Sequence, residues 1–216
     1  VSQQSSFSFM AEPPREELAP GAVLLRRAAL PVAAELLQCI DEVVLQAPFR
    51  HMHTPGGHRM SVAMTNCGAC GWITDASGYR YSEVDPETGE PWPSLPAAFL
   101  TVATSAASTA GFAGFQPDAC LVNCYVPGAR MTLHQDRNEA DFEQPIVSIS
   151  LGLPADFQFG GLWRSDPVRR VRLGHGDVVV WGGPARLRFH GVLPLKDGKH
   201  AATGCVRYNL TLRTAR

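Results

Sequence analysis

No stretch of the chain is long and apolar enough for a membrane span, and the first twenty residues lack the continuous apolar run of a secretory segment. The expectation is a cytoplasmic protein with no membrane partner. Neither charge sign is in excess: the net charge is −1 over 216 residues. The global basic footprint of many nucleic-acid binders is therefore missing, although a local basic rim stays open. No internal repeat is visible. The six cysteines offer one close pair, Cys67-Gly-Ala-Cys70, and no second one. Half a zinc site is not a site, so the simpler reading is free loop thiols in a reducing compartment.

What is present is ample material for a core. Hydrophobic residues make up 45% and charged residues 18%, and the length suits one domain with a sizeable extension. Glycine (20) and proline (17) predict many turns, as in an all-β fold.

Residues 1–20 are polar and proline-bearing and read as a flexible leader. Residues 21–27 read as a short strand. Pro31 stands where a helix begins, and Leu36, Leu37, Ile40, Val43 and Val44 follow at helical spacing. Residues 48–59 form a loop carrying His51, His53, His58 and Arg59 around Pro55-Gly-Gly57; its glycines argue against a rigid metal site. Residues 60–65 alternate weakly, as a strand. Trp72, Tyr79 and Tyr81 stand in a polar stretch, as satellite packing or as a stacking platform for planar ligands. The alanine-rich run over residues 95–110 predicts a second helix closed by Gly111. From residue 118 the character changes. Short apolar or β-branched runs recur at 119–126, 146–153, 157–159, 168–173, 177–181 and 205–212. Such spacing predicts a sandwich or barrel of antiparallel strands. The architecture expected is mainly β with flanking helices.

The chemistry concentrates around His134-Gln-Asp136. On an extended strand, residues at spacing two share a face, so an imidazole and a carboxylate aim into one volume. Such a pair also arises as a surface pair or a hydrogen-bonded core histidine. With a third ligand, for which His190 is the candidate, it makes the two-histidine, one-carboxylate site of non-haem Fe(II) oxygenases. Asn123 and Tyr125 share one strand face, and Arg207, Asn209, Thr211 and Arg213 share another. The latter is either the solvent side of a strand or the wall of a polar cavity, where two arginines would grip a dianion.

The pattern Asn123-x-Tyr125-x-x-Gly128, His134-x-Asp136, His190 and Arg207-x-Asn209-x-x-x-Arg213 resembles the AlkB family of Fe(II)/2-oxoglutarate-dependent dioxygenases, and its bacterial branch most. Thr54-Pro-Gly-Gly57, residues 60–66, Phe157-Gln-Phe-Gly-Gly161 and residues 176–183 belong to the same resemblance, which runs from about Gly21 to the end. It implies a double-stranded β-helix (jelly-roll) core over residues 118–216, with residues 21–117 forming helices and a nucleotide-recognition lid. It implies His134, Asp136 and His190 as iron ligands, and Asn123, Tyr125, Arg207, Asn209 and Arg213 around 2-oxoglutarate. Trp72 would stack on an extruded base, with Tyr79, Tyr81, Asn138 and Arg164 on the nucleic-acid side.

The implied reaction is oxidative demethylation of bases such as 1-methyladenine and 3-methylcytosine. It consumes O₂ and 2-oxoglutarate and releases succinate, CO₂ and formaldehyde. No protein nucleophile is needed, so the lack of a serine-histidine-aspartate arrangement is no objection. Single-stranded DNA is the implied partner, with double-stranded DNA and RNA left open, and a monomer is expected. Arg164, Arg169, Arg170 and Arg172 are candidates for phosphate contacts. Asn138 stands where the bacterial branch has an aspartate, Cys124 where it has arginine, and His58-Arg59 also differ. A protein or small-molecule substrate for the same chemistry is the alternative, as are a jelly-roll binding module and a cupin-like metal enzyme without 2-oxoglutarate.

Overall fold

A computed structural model describes residues 14–216. Thirteen strands and two helices follow in the order β1 (Arg15–Ala19), β2 (Ala22–Leu25), α1 (Ala33–Gln46), β3 (Ala63–Gly68), β4 (Gly71–Asp75), β5 (Gly78–Ser82), α2 (Ala97–Thr109), β6 (Ala119–Tyr125), β7 (Met131–His134), β8 (Ile146–Gly152), β9 (Ala155–Phe159), β10 (Arg169–Leu173), β11 (Val178–Trp181), β12 (His190–Val192) and β13 (Arg207–Arg213). The chain is mainly β with flanking helices, as its turn-rich composition predicts. Among the described residues no helix is long and apolar enough to cross a membrane.

Two sheets face each other. The larger runs β1-β2-β11-β8-β13-β6-β3, the smaller β10-β9-β12-β7, and β4-β5 is a separate hairpin. Every strand pair is antiparallel. The larger sheet is covered on both faces, and its strands show it. On β6, Cys120 and Val122 join the layer under the helices, while Leu121 and Tyr125 join the layer between the sheets. On β11, Val178 and Val180 face the helices, and Val179 and Trp181 the inter-sheet core. The helices supply the matching surface, Leu36, Ile40 and Val43 from α1 and Phe99, Ala103 and Ala107 from α2. Because β2 and β3 pair with β11 and β6, the front of the chain completes the sheet of the back half.

Several boundaries differ from the sequence reading. Residues 1–13 of the leader lie outside the described residues, and Arg15–Ala19 is strand β1. Its charges face outward from a sheet edge, which is how edges avoid pairing with other chains and why the segment reads as a leader. The strand expected at 60–65 is shifted to Ala63–Gly68. The β4-β5 hairpin, β7 and β12 are additional strands, each too short or too polar to give a periodic signal. All six cysteines are free. Cys67 faces Cys120 across β3-β6, and its hydrogen bond with that neighbour, then burial, hold its thiol well above the ordinary range, which suits inert core packing.

Candidate metal centre and its two cavities

Strand register brings the three candidate ligands together. His134 ends β7 and His190 begins β12, and the two are direct cross-strand partners; their ring centroids lie 4.4 Å apart. The strands approach closely because Gly191 has no side chain: a Cβ there would sit 2.7 Å from the Met131 carbonyl. Asp136 lies just beyond the end of β7, so its alignment does not come from strand alternation alone. Arg186 Nη1 donates to the Asp136 carbonyl at 3.0 Å, and Arg213 donates to Asp136 Oδ2 through Nε (3.0 Å) and Nη2 (2.7 Å). One ligand atom from each of His134, Asp136 and His190 lies within 4.8 Å of the others.

The donor chemistry fits a divalent iron-type cation. Nδ1 of His134 is 2.8 Å from the Thr132 carbonyl, and Nδ1 of His190 is 3.1 Å from the Arg188 carbonyl. A carbonyl only accepts, so in both rings Nδ1 carries a proton and Nε2 is the nitrogen turned toward the site. Each Nε2 lies 3.7 Å from an Asp136 oxygen. Such outer hydrogen bonds fix the tautomer and orientation that a metal requires. Burial, with the His134 ring beside it, pulls the pKa of His190 down to about 4, so this ring is neutral at physiological pH. Burial alone would raise the Asp136 pKa; Arg213 and then the two histidines outweigh it and hold the carboxyl well below the usual range. Two neutral nitrogens and one carboxylate on one side, with open positions opposite, is the facial triad. His134, Asp136 and His190 are the metal site.

An inner cavity lies on one side of this triad, between the sheets. It is lined by Asn123, Tyr125, Arg207, Asn209 and Arg213, with Phe157, Leu173 and Trp181 as an apolar wall. The polar face of β13 is thus a cavity wall and not a solvent side. Asn209 Nδ2 donates to Ser148 Oγ at 2.8 Å, and Thr211 Oγ1 donates to Asn209 Oδ1 at 3.0 Å. The two arginines are not equivalent. Arg213 is committed to Asp136, with Glu139 at 3.4 Å. Arg207 is 1% exposed, and only its Nη2 is engaged, with Ser150 Oγ at 3.0 Å. Its Nε and Nη1 find no hydrogen-bond partner among the described residues, nor does Asn123 Oδ1. Burial pulls the Arg207 pKa down to about 10. A buried guanidinium without a counter-ion is costly unless something anionic joins it. A dicarboxylate reaching from Arg207 to a metal at the triad would satisfy both ends.

An outer cavity of ≈ 440 Å³ lies on the other side of the triad, lined by Trp72, Tyr79, His134, Asp136, Asn138 and Arg164 among others. Trp72 and Tyr79 stack with centroids 5.8 Å apart and 22° between planes. Trp72 Nε1 donates to Asn138 Oδ1 at 3.1 Å, and Asn138 Nδ2 donates to the Tyr79 carbonyl at 3.4 Å. The β4-β5 hairpin is thereby tied to the residue two beyond the carboxylate ligand. Arg164 donates to the Leu133 carbonyl at 2.8 Å, and its guanidinium lies 4.9 Å from the Phe189 ring centre. Tyr81 stands apart from these residues. Its hydroxyl donates to Glu139 Oε1 at 2.6 Å, and burial holds its pKa far above the ordinary value.

Sequence reasoning missed some of this. Ser148 and Ser150 are polar at spacing two within the apolar run of β8, a signal that was there to read. Glu139 accepts hydrogen bonds from Tyr81 and Arg186 and forms an ion pair with Arg213, all distant in sequence. Arg137 lines the outer cavity and adjoins the ligand motif. Of the arginines read as phosphate contacts, Arg169 pairs with Glu16 at 2.5 Å and Arg172 with Asp156 at 3.0 Å.

Comparison with known proteins agrees with this geometry. The 2OG-Fe(II) oxygenase superfamily matches residues 21–213. The chain is 61% identical over 208 residues to the alpha-ketoglutarate-dependent dioxygenase AlkB of Salmonella typhimurium, covering 96% of each chain. It is 58% identical over 205 residues to the protein of the same name from Escherichia coli, covering 95% of each. The solved structure of OsALKBH1 superposes with a TM-score of 0.81 at 28% identity, covering 93% of this chain and 100% of that one.

Proposed function

The chain belongs to the 2OG-Fe(II) oxygenase superfamily and is a 2-oxoglutarate-dependent dioxygenase of the AlkB type, and we propose that it oxidatively dealkylates N-alkylated bases, such as 1-methyladenine and 3-methylcytosine, in single-stranded nucleic acid. Bound Fe(II), with O₂ and 2-oxoglutarate, supplies the oxidation: the N-methyl carbon is hydroxylated, the co-substrate leaves as succinate and CO₂, and the hydroxymethyl base releases formaldehyde.

The observation that carries the reading is the placement of the triad. It stands between a buried cation lacking a counter-ion and an open cavity walled by a stacked aromatic pair. In this reading Arg207 receives the carboxylate of 2-oxoglutarate remote from the metal. Asn123, Tyr125 and Asn209 position the chain of that molecule. Arg213 keeps Asp136 ionised and aimed while facing the near end. The wall of Phe157, Leu173 and Trp181 excludes water from the oxidising centre. An alkylated base edge is hidden by pairing, so the target enters as a flipped or single-stranded base, and Trp72 offers it a ring face. Within residues 21–117 the β4-β5 hairpin supplies the lid, while β2 and β3 complete the sheet of the 118–216 core.

The test is mass spectrometry of a single strand carrying one 1-methyladenine, incubated with protein, Fe(II), ascorbate and 2-oxoglutarate. Loss of one methyl requiring every component is the expected result. Succinate without base repair would move the substrate elsewhere. Neither product, from folded and iron-loaded protein, would sink the proposal.

Asn138 tunes substrate charge in this scheme. Its amide already bonds Trp72 and the Tyr79 carbonyl, so Asn138→Asp keeps an acceptor for Trp72 and adds a negative charge at the cavity wall. A half-exposed ion pair contributes up to about 1 kcal/mol, or about fivefold. KM for cationic 1-methyladenine should fall by about that factor, and KM for a neutral alkylated base should not. An equal change for both substrates would rule out charge as the cause.

A further inference from the structure

We propose that Trp163 is a stacking platform for the base adjacent to the target, outside the cavity that receives the alkylated base. The inference rests on the nucleic-acid reading above. Trp163 is 75% exposed, and its neighbour Leu162 is 49% exposed. An indole that open to water is unusual for so large an apolar surface. Among the described residues it has no aromatic or cationic partner, whereas Trp72, Trp92 and Trp181 each have one.

The loop between β9 and β10 that carries Trp163 is fixed to the metal-bearing strands. Phe189 N donates to the Gly161 carbonyl at 2.9 Å, and Gly160 N to the Phe189 carbonyl at 2.7 Å. Gln135, between two metal ligands, donates to the Leu162 and Leu187 carbonyls. Trp163 N donates to Asp166 Oδ2 at 3.0 Å, and Asp166 N returns a bond to the Trp163 carbonyl at 3.0 Å. Gly161 is needed there, since a Cβ would collide with the Asp166 side chain. The next residue, Arg164, lines the outer cavity, and successive Cα atoms are about 3.8 Å apart. The backbone that carries the ring is therefore held beside the cavity mouth.

Occupancy by a base follows from what extraction does. Pulling one base out of a strand strips a stacking partner from its neighbour. An exposed indole on an anchored loop next to the mouth replaces that partner without sequence preference, because every base has a π-face. Arg137 and Arg164 on the same rim give the phosphates a cationic counterpart.

The experiment compares wild type, Trp163→Ala and Trp163→Phe on two substrates, a short single strand carrying 1-methyladenine and the 1-methyladenine mononucleotide. Loss of one stacking contact should raise KM for the strand about tenfold in Trp163→Ala. The expected pattern has kcat unchanged, mononucleotide repair unchanged and most of the effect restored by phenylalanine. Wild-type repair of both substrates with equal KM in Trp163→Ala overturns this inference and leaves the proposed function standing. Repair of neither by wild type overturns both. Sedimentation serves as the control for other occupants: if Trp163→Ala dissolves a self-associated state and KM stays unchanged, the patch is a contact between copies of the chain and the inference fails.

Discussion

Asp136→Ala should abolish succinate formation and also destabilise the fold, whereas His134→Ala should abolish it at almost no structural cost. Both remove a ligand of the triad. Activity should drop by more than about a hundredfold in each, beyond the range seen when only an outer-shell partner of a metal is disturbed. The difference lies in what each leaves behind. The His134 side chain is 36% exposed, and its loss opens the site to water. Asp136 is buried and receives two bonds from Arg213, itself buried. Removing it strands a guanidinium in the core. Breaking a buried pair from one side costs about 3–5 kcal/mol, and Glu139 at 3.4 Å keeps the loss near the lower end. Urea unfolding of both variants without metal measures this. Equal stability of the two would mean that Arg213 is already neutralised by Glu139 and that Asp136 is there for the metal alone.

The same pair shows how far the sequence could be read. The His-x-Asp spacing put both ligands on one side, yet β7 stops at His134. Asp136 is held by Arg186, just after the 3-10 turn Gly183–Ala185, and by Arg213 of β13, 50 and 77 residues away. Spacing announces a pair; only tertiary contacts aim it. Strands covered on both faces were legible, because β6, β8 and β13 are seven-residue apolar or alternating runs and the shorter β11 is wholly apolar. Strands that carry the ligands were not, because β7 and β12 have four and three residues and spend their positions on chemistry. On β13 the alternation Arg207, Asn209, Thr211, Arg213 identified a polar face without saying whether water or a cavity lay against it. The inner cavity, lined by all four of these side chains, decides it. The basic run Arg169-Arg170-Val-Arg172 misled for the opposite reason, since the carboxylates that neutralise two of its members come from β1 and β9.

Arg207→Met should raise the stability of the ligand-free protein while destroying its use of 2-oxoglutarate. Arg207 is enclosed, keeps two donors without partners, and has its pKa lowered to about 10 by burial. The sign follows from linkage. The unfolded arginine binds its proton more tightly than the folded one. The penalty on the ligand-free fold is therefore fully present at physiological pH and relieved only as pH rises above about 10. Replacing a buried unpaired charge by an apolar side chain of similar reach removes that penalty, as when buried ionic groups give way to hydrophobic ones. Methionine also fits irregular space beside Tyr125 and Phe157.

Binding reverses the sign. In the wild type a dicarboxylate supplies the missing counter-ion, and charge-assisted bonds to a buried guanidinium are the strong kind. The KM for 2-oxoglutarate should rise by about a hundredfold or more in the variant, corresponding to about 3 kcal/mol. The two effects meet in one measurement. Thermal unfolding with and without 2-oxoglutarate, in the presence of a redox-inert divalent metal, should show a large upward shift for wild type and little for Arg207→Met. The variant's own ligand-free midpoint should start higher. If the variant starts lower and still shifts with 2-oxoglutarate, Arg207 is a structural residue whose partner-free donors have no ligand to meet, and the inner cavity is not where the co-substrate binds.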